Sequence, residues 1–185
     1  MVVNTSVQLT NQGQVFLFDQ FFPTDLSYKL LIFFKSNDDW ETRSEFDHQP
    51  GRLVYNGQHN IINEIHEHAN DVNVIKALSQ LANHNLKFYG IDLWRDGLGY
   101  KINTHQDYMG EERFCHLQIY VTDKTDYSLG TTFYADQSPK SVQFQIPYRH
   151  NFGYFMVTGQ QIWHGLPLIS QPVDRHSIQI RYTII

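Results

Sequence analysis

The sequence predicts an α+β chain dominated by β structure: a helical and mixed region over residues 1–85, then a jelly-roll half over residues 86–185, together one domain. Three observations predict this. Helical periodicity is confined to the first half, where apolar residues recur at Ile75, Leu78 and Leu81/Ala82. From Leu86 onward short β-rich runs alternate with turns, the pattern of a sandwich or barrel. Tyr (11) and Phe (13) are abundant, and aromatic side chains suit pleated, half-buried surfaces.

The elements follow in order. Residues 14–18 read as a short strand. Phe22-Pro23-Thr24-Asp25 is a turn carrying an N-cap signal, and it opens an amphipathic helix over residues 26–34. Residues 36–51 are polar with a lone Trp40, and read as a loop lying over the opening of a site. Residues 52–55 form a strand, closed by the turn dipeptide Asn56-Gly57. Residues 71–82, at least, form a helix. Strands are then expected over 86–94, 100–104, 114–122, 131–135, 141–146, 154–157, 161–163 and 177–184. Helices first and strands later is the α+β order.

Length and composition bound the possibilities. A chain of 185 residues, 41% hydrophobic, can bury a core without staples. Its net charge is −5 and no basic tract stands out, which disfavours tight non-specific binding to nucleic acid. Cys115 is the only cysteine, so no intramolecular disulfide forms, and a reducing compartment fits. The first residues lack the basic and apolar regions of a signal peptide. No apolar run approaches the length of a membrane span. The expectation is a soluble, cytoplasmic protein without membrane partners.

Chemistry concentrates after Asp92. The stretch ends in His105-Gln106-Asp107, where an imidazole and a carboxylate two residues apart share one face of an extended chain. Such a pair can grip one metal ion from one side. By itself it is weak evidence: with 10 histidines and 19 acidic residues in 185, about one such pair arises by chance. A third ligand is available in Trp163-His164-Gly165, where the neighbours suggest a strand end in an apolar setting. Two histidines and one carboxylate on one side of a metal leave its other positions open, as in non-haem Fe(II) oxygenases. Arg175-His176-Ser177 then opens the last strand, with Arg175 and Ser177 on one face and Gln179 and Arg181 further along it. An arginine fork beside a hydroxyl suits a carboxylate in a partly dry pocket. Before the ligand strand, Arg95-Asp96-Gly97-Leu98-Gly99-Tyr100 places two glycines in a tight turn.

Taken as an ordered series, these pieces resemble the Fe(II)- and 2-oxoglutarate-dependent dioxygenases, especially the prolyl-hydroxylase-like branch. The series runs from Arg95-Asp-Gly-Leu-Gly-Tyr100 and His105-Gln-Asp107 through Leu117-Gln-Ile-Tyr-Val121, Leu129-Gly130-Thr-Thr and Asn151-Phe-Gly-Tyr-Phe. It closes with Trp163-His164-Gly-Leu-Pro167 and Arg175-His-Ser177. It covers residues 89–182, half of the chain. The resemblance implies a double-stranded β-helix, a cupin-like jelly roll, with flanking N-terminal helices. It implies that His105, Asp107 and His164 hold Fe(II), and that Arg175 pairs with the distal carboxylate of 2-oxoglutarate with Ser177 assisting. Tyr120 stands where a tyrosine of the family reaches that carboxylate, and Gln118 shares its face. Trp94 stands where the family has a tyrosine, on the wall of either the cosubstrate pocket or the substrate entrance. The implied reaction consumes O2 and 2-oxoglutarate and releases succinate and CO2, with ascorbate as an optional reductant. The implied substrate is a C–H bond of a prolyl or other amino-acid residue, a peptide or a small molecule.

Two rivals are weighed beside it. One is a nucleic-acid demethylase of the same superfamily, prompted by His105-Gln-Asp107 and by the spaced Arg175 and Arg181; the acidic net charge stands against it. The other is a non-catalytic cupin-like domain that binds a metal or ligand. Other histidines carry plainer readings. His66-Glu67-His68, if helical, does not face one point. His116 points away from its neighbour Cys115. Arg149-His150 reads as a solvated loop, and His176 as pointing away from Arg175.

Overall fold

Alternation of side chains along the strands sorts the chain into three layers. The computed structural model describes residues 4–10, 13–42, 50–107, 114–158 and 162–185. Its elements are β1 (Asn4–Thr10), β2 (Gly13–Asp19), α1 (Thr24–Ser36), β3 (Trp40–Glu41), β4 (Arg52–Tyr55), α2 (Asn60–Ala69), α3 (Val72–Ala82) and β5 (Leu86–Asp96). They continue with β6 (Ile102–His105), β7 (Phe114–Val121), β8 (Thr132–Tyr134), β9 (Val142–Gln145), β10 (Phe152–Val157), β11 (Trp163–Leu166) and β12 (Arg175–Ile184). One antiparallel sheet has the order β1-β2-β10-β7-β12-β5-β4-β3, and a second has β6-β11-β8-β9. Of strands β5 to β12, four lie in each sheet, which is the double-stranded β-helix. Among the described residues, the first 85 contribute three helices, and four strands that extend both edges of the large sheet.

Strand β7 shows the sorting. Cys115, Leu117, Ile119 and Val121 face the helices, in one apolar cluster with Leu30, Phe33, Ile61, Ile65 and Leu78. The alternate residues His116, Gln118 and Tyr120 face the second sheet. Strand β12 repeats this, with Ile178, Ile180 and Tyr182 outward and Arg175, Ser177, Gln179 and Arg181 inward. A second cluster, with Phe133, Ile146, Tyr154 and Leu166 at its centre, fills the space between the sheets. Each fully buried Leu, Ile or Phe contributes roughly 1.5–3 kcal/mol, so both apolar layers weigh heavily in stability. Polar residues in the inner layer depart from that economy, and they are where the site is built.

Several expectations change. The N-cap of α1 is Pro23 and makes no side-chain cap; Thr24 and Asp25 already lie in the first turn, where Asp25 complements the helix dipole. Trp40 is not on a polar loop. It pairs in β3 against Tyr55 and packs on Phe34 with ring centroids 5.4 Å apart, because an indole gains more against the α1 face than over an opening. The suggested cover over residues 36–51 includes 43–49, which lie outside the described residues. His164 is inside β11 rather than at a strand end, since β11 is paired on both sides, by β6 and β8. His150 is half-buried rather than fully solvated: its Nε2 lies 2.7 Å from Ser27 Oγ on α1. The edge strand β1, in which Val7 and Leu9 alternate with polar residues, is not among the strands expected from the sequence.

α3 starts as its sequence dictates. Asp71 accepts from the backbone N–H of Asn73 at 2.8 Å and Val74 at 3.2 Å. α2 and α3 lock β5 and β12 from outside, with Tyr182 Oη donating to Ala69 O at 2.9 Å.

Candidate metal centre

The ligand residues come from the C-terminal end of β6, the two residues that follow it, and β11. These strands pair so that His164 stands directly opposite His105. Gly165 lets them approach: a Cβ there would sit 2.7 Å from the Ile102 carbonyl oxygen. The tight turn before β6 is set by Gly99 at φ +88°, a conformation that favours glycine. Asp107 follows two residues after His105, so its carboxylate returns to the same side.

The three residues converge. Their candidate ligand atoms all lie within 4.8 Å of one another. His105 Nε2 is 3.3 Å from one Asp107 oxygen, and His164 Nε2 is 3.6 Å from the other. Metal bonds of ~2.1 Å at right angles would put donor atoms ~3 Å apart, so a small closure suffices. Both rings are already turned for this. His105 Nδ1 donates to Asn103 O at 3.0 Å and His164 Nδ1 donates to Ile162 O at 3.2 Å. A carbonyl only accepts, so each Nδ1 carries a proton and each Nε2 is the nitrogen turned toward the centre.

Electrostatics agree. Burial pushes the Asp107 carboxyl up, but the charge of His164 and the hydrogen bonds from His105 and His116 outweigh it and hold Asp107 well below the usual carboxylate range. Burial pushes His164 down, against the pull of Asp107, which favours the neutral form that can ligate. For His105 burial also acts downward, but the hydrogen bond and charge of Asp107 prevail and raise it. A metal would displace that proton.

Sequence reasoning passed over His116. Its Nδ1 lies 2.8 Å from the Asp107 carboxylate, and its buried Nε2 has no partner among the described residues. The signal was available: His116, Gln118 and Tyr120 alternate on one face of a strand otherwise apolar throughout.

A cavity of about 160 Å³ runs inward from the three ligands, with Trp94, Gln118, Tyr154, Gln179 and Arg175 in its wall. Arg175 is 1% exposed, as expected for a residue that faces inward. Its guanidinium is already held: Nη1 donates to Asp96 at 2.7 Å and Nε to Leu129 O at 2.7 Å. Arg52, the other residue missed, donates to the same Asp96 carboxylate from Nε at 2.8 Å. Ser177 Oγ and Tyr100 Oη are buried without partners among the described residues. Tyr120 lies beneath Arg175, ring centroid 5.0 Å away, and its hydroxyl is bonded to Thr131 Oγ1 at 2.7 Å. His176 points to the other face of the sheet, where it packs on Phe34 at 5.0 Å. His66 and His68 lie in α2, against Phe88 and Phe21 respectively, away from this centre.

No protein-family model and no curated protein sequence matches the chain. Solved structures do match in fold. HygX from Streptomyces hygroscopicus, with nickel and 2-oxoglutarate bound, superposes with a TM-score of 0.66 at 10% identity, over 92% of this chain and 82% of that one. A viral collagen prolyl hydroxylase from Paramecium Bursaria Chlorella virus-1 gives 0.59 at 11% identity, over 96% and 99%. A Pseudomonas putida prolyl-4-hydroxylase gives 0.59 at 13% identity, over 99% and 93%. The chain therefore shares its fold with HygX and with both prolyl hydroxylases.

Proposed function

We propose that the chain is an Fe(II)- and 2-oxoglutarate-dependent oxygenase that hydroxylates a C–H bond, with release of succinate and CO2. The observation that carries this reading is one cavity with two imidazoles and a carboxylate at one end and a buried arginine at the other. The unpartnered Ser177 and Tyr100 hydroxyls beside that arginine are what a carboxylate acceptor would satisfy.

The roles follow from position. His105, Asp107 and His164 would hold Fe(II), and they occupy one side of it only. The iron and the 2-oxo acid together supply the oxidising power that no side chain has. Arg175 would pair with the distal carboxylate of 2-oxoglutarate, and Ser177 would donate to it. That pairing fixes the direction in which the keto acid lies. Trp94 and Gln118 form the wall between the two ends, and the fully buried Tyr120 supports Arg175 from below. His116 holds the Asp107 carboxylate in one orientation, and such outer partners are part of how a metal site is tuned.

The substrate this reading favours is a prolyl or other amino-acid residue, by analogy with the prolyl hydroxylases of the same fold. The demethylase alternative loses one of its two prompts, because Arg181 is spent on Asp92 at 2.6 Å. The test is succinate formation. Purified protein with Fe(II), 2-oxoglutarate and O2 should convert 2-oxoglutarate to succinate, measured by NMR, and proline-rich peptides should accelerate it. Absence of succinate from folded, iron-loaded protein would favour the non-catalytic alternative.

A further inference from the structure

We propose that Arg52 and Asp96 belong to the same anion site as Arg175, and that the three together make the pocket select a 2-oxo acid bearing a second carboxylate. The inference rests on the oxygenase reading above and adds two residues to it.

Asp96 lies at the centre. It is fully buried, and it sits in register with Arg52 of β4 on one side and with Arg175 of β12 on the other. Arg52 donates to it from Nε at 2.8 Å and from Nη2 at 3.2 Å, and Arg175 donates from Nη1 at 2.7 Å. The Arg52 guanidinium is clamped between the rings of Trp94 and Tyr100, 4.4 Å from each centroid. Both arginines border the cavity that also holds the metal-ligand residues.

Among the described residues the charges do not balance. Two guanidinium cations share one carboxylate in a place where the side chains of Arg52, Asp96 and Arg175 are 12%, 0% and 2% exposed. One positive charge is left over, and a buried charge without a counter-ion is costly. Among the described residues the neighbouring acids do not offset it: Asp92 is matched by Arg181 at 2.6 Å and Asp174 by Arg95 at 2.9 Å. An ion triad that served only the fold would be expected to close its charge. What this one lacks is a single negative group that accepts hydrogen bonds and donates none. Each guanidinium has five N–H donors and uses two in these contacts, so both can take a further acceptor. The buried Tyr100 and Ser177 hydroxyls add donors beside them. A carboxylate supplies the missing charge and the missing acceptors together. Asp96 then acts as a positioning residue that holds both guanidinium forks in place before the ligand arrives.

The count extends to the whole pocket. A divalent ion on His105, Asp107 and His164 would leave one further positive charge at the other end. Two separated positive charges match a dianionic 2-oxo acid and leave a monoanionic one short at the arginine end.

The test compares two ligands on Mn(II)-loaded protein without O2, by calorimetric titration: 2-oxoglutarate, and 2-oxobutyrate, which lacks the distal carboxylate. Losing a charge-assisted hydrogen bond should make Arg52→Gln bind 2-oxoglutarate about 10- to 100-fold more weakly. Its affinity for 2-oxobutyrate should stay within about twofold, as for changes remote from a contact. Arg52→Lys keeps the charge on Asp96 and carries the test if the glutamine variant does not fold; it should narrow the same preference by a smaller factor. An unchanged preference, or equal loss for both ligands, would overturn the inference while leaving the oxygenase reading intact. Failure of the wild-type protein to bind 2-oxoglutarate would overturn both.

Discussion

Replacing Arg175 by alanine should affect stability and cosubstrate use together. The side chain is 1% exposed and bonded to Asp96 and to Leu129 O, each at 2.7 Å. Asp96 keeps Arg52 at 2.8 Å, so no charge is left unpaired; the cost is that the buried Leu129 and Asp96 acceptors lose a donor and a buried side chain leaves a void, about 3 kcal/mol together. At about 3 kcal/mol, and about 2–4 °C per kcal/mol for a chain of this size, the melting temperature should fall by about 6–12 °C. Differential scanning calorimetry of the metal-free protein measures this without interference from ligand binding. Arg149→Ala is the control, since that arginine pairs with Asp19 at the surface and should shift the transition by no more than about 2 °C. The same Arg175 variant should need far more 2-oxoglutarate for turnover. A variant that melts like wild type and uses 2-oxoglutarate equally well would refute both the ion triad and the anion site.

Other consequences can be checked alongside. His116→Ala frees the Asp107 carboxylate from its 2.8 Å contact and should lower metal affinity about 10- to 100-fold, read by competition with a chelating dye. Gly165→Ala would drive a Cβ to 2.7 Å from Ile102 O, prise β11 from β6 and part His164 from His105. It should weaken metal binding and cost about 1–3 kcal/mol in denaturant titration. Stability of the metal-free protein should fall on acidification. Burial pushes His176 down to about 4, against the pull of Asp174, whereas a free imidazole titrates near 6.5. Above pH 6.5 neither state binds the proton; below it the unfolded chain does and the fold refuses, so stability is lost between about pH 6.5 and 4. His176→Phe should flatten that slope in urea titrations across the range, and an unchanged slope would show that other groups set it.

The sequence made the outline legible because the strands obey a simple period. Along the run Ser177-Ile-Gln-Ile-Arg181 polar and apolar residues alternate; with Arg175 the polar ones face inward, and Arg175 and Gln179 line the cavity. The three ligand residues were readable for a similar reason: a histidine and an acid two residues apart in extended chain must share a face. Residues whose roles depend on pairing across strands were not readable. Nothing in a linear sequence says that Arg52 will lie in register with Asp96, or Asp96 with Arg175, across three strands. Asp96 looked like part of a glycine turn, yet it ends β5 as a fully buried acid. His116 was weighed only against its neighbour Cys115, whereas its partner is Asp107, nine residues earlier and across the cavity. Trp40 misled because an isolated tryptophan among polar residues resembles an exposed cover. Its binding surface is α1, which no local pattern announces.

Anaerobic spectroscopy reaches the centre of the account most directly. Addition of Fe(II) and then 2-oxoglutarate should raise a weak visible charge-transfer band in the wild-type protein, and neither Asp107→Ala nor His164→Ala should show it. No band from folded wild-type protein, or a band that survives removal of Asp107, would mean that His105, Asp107 and His164 do not meet at one iron.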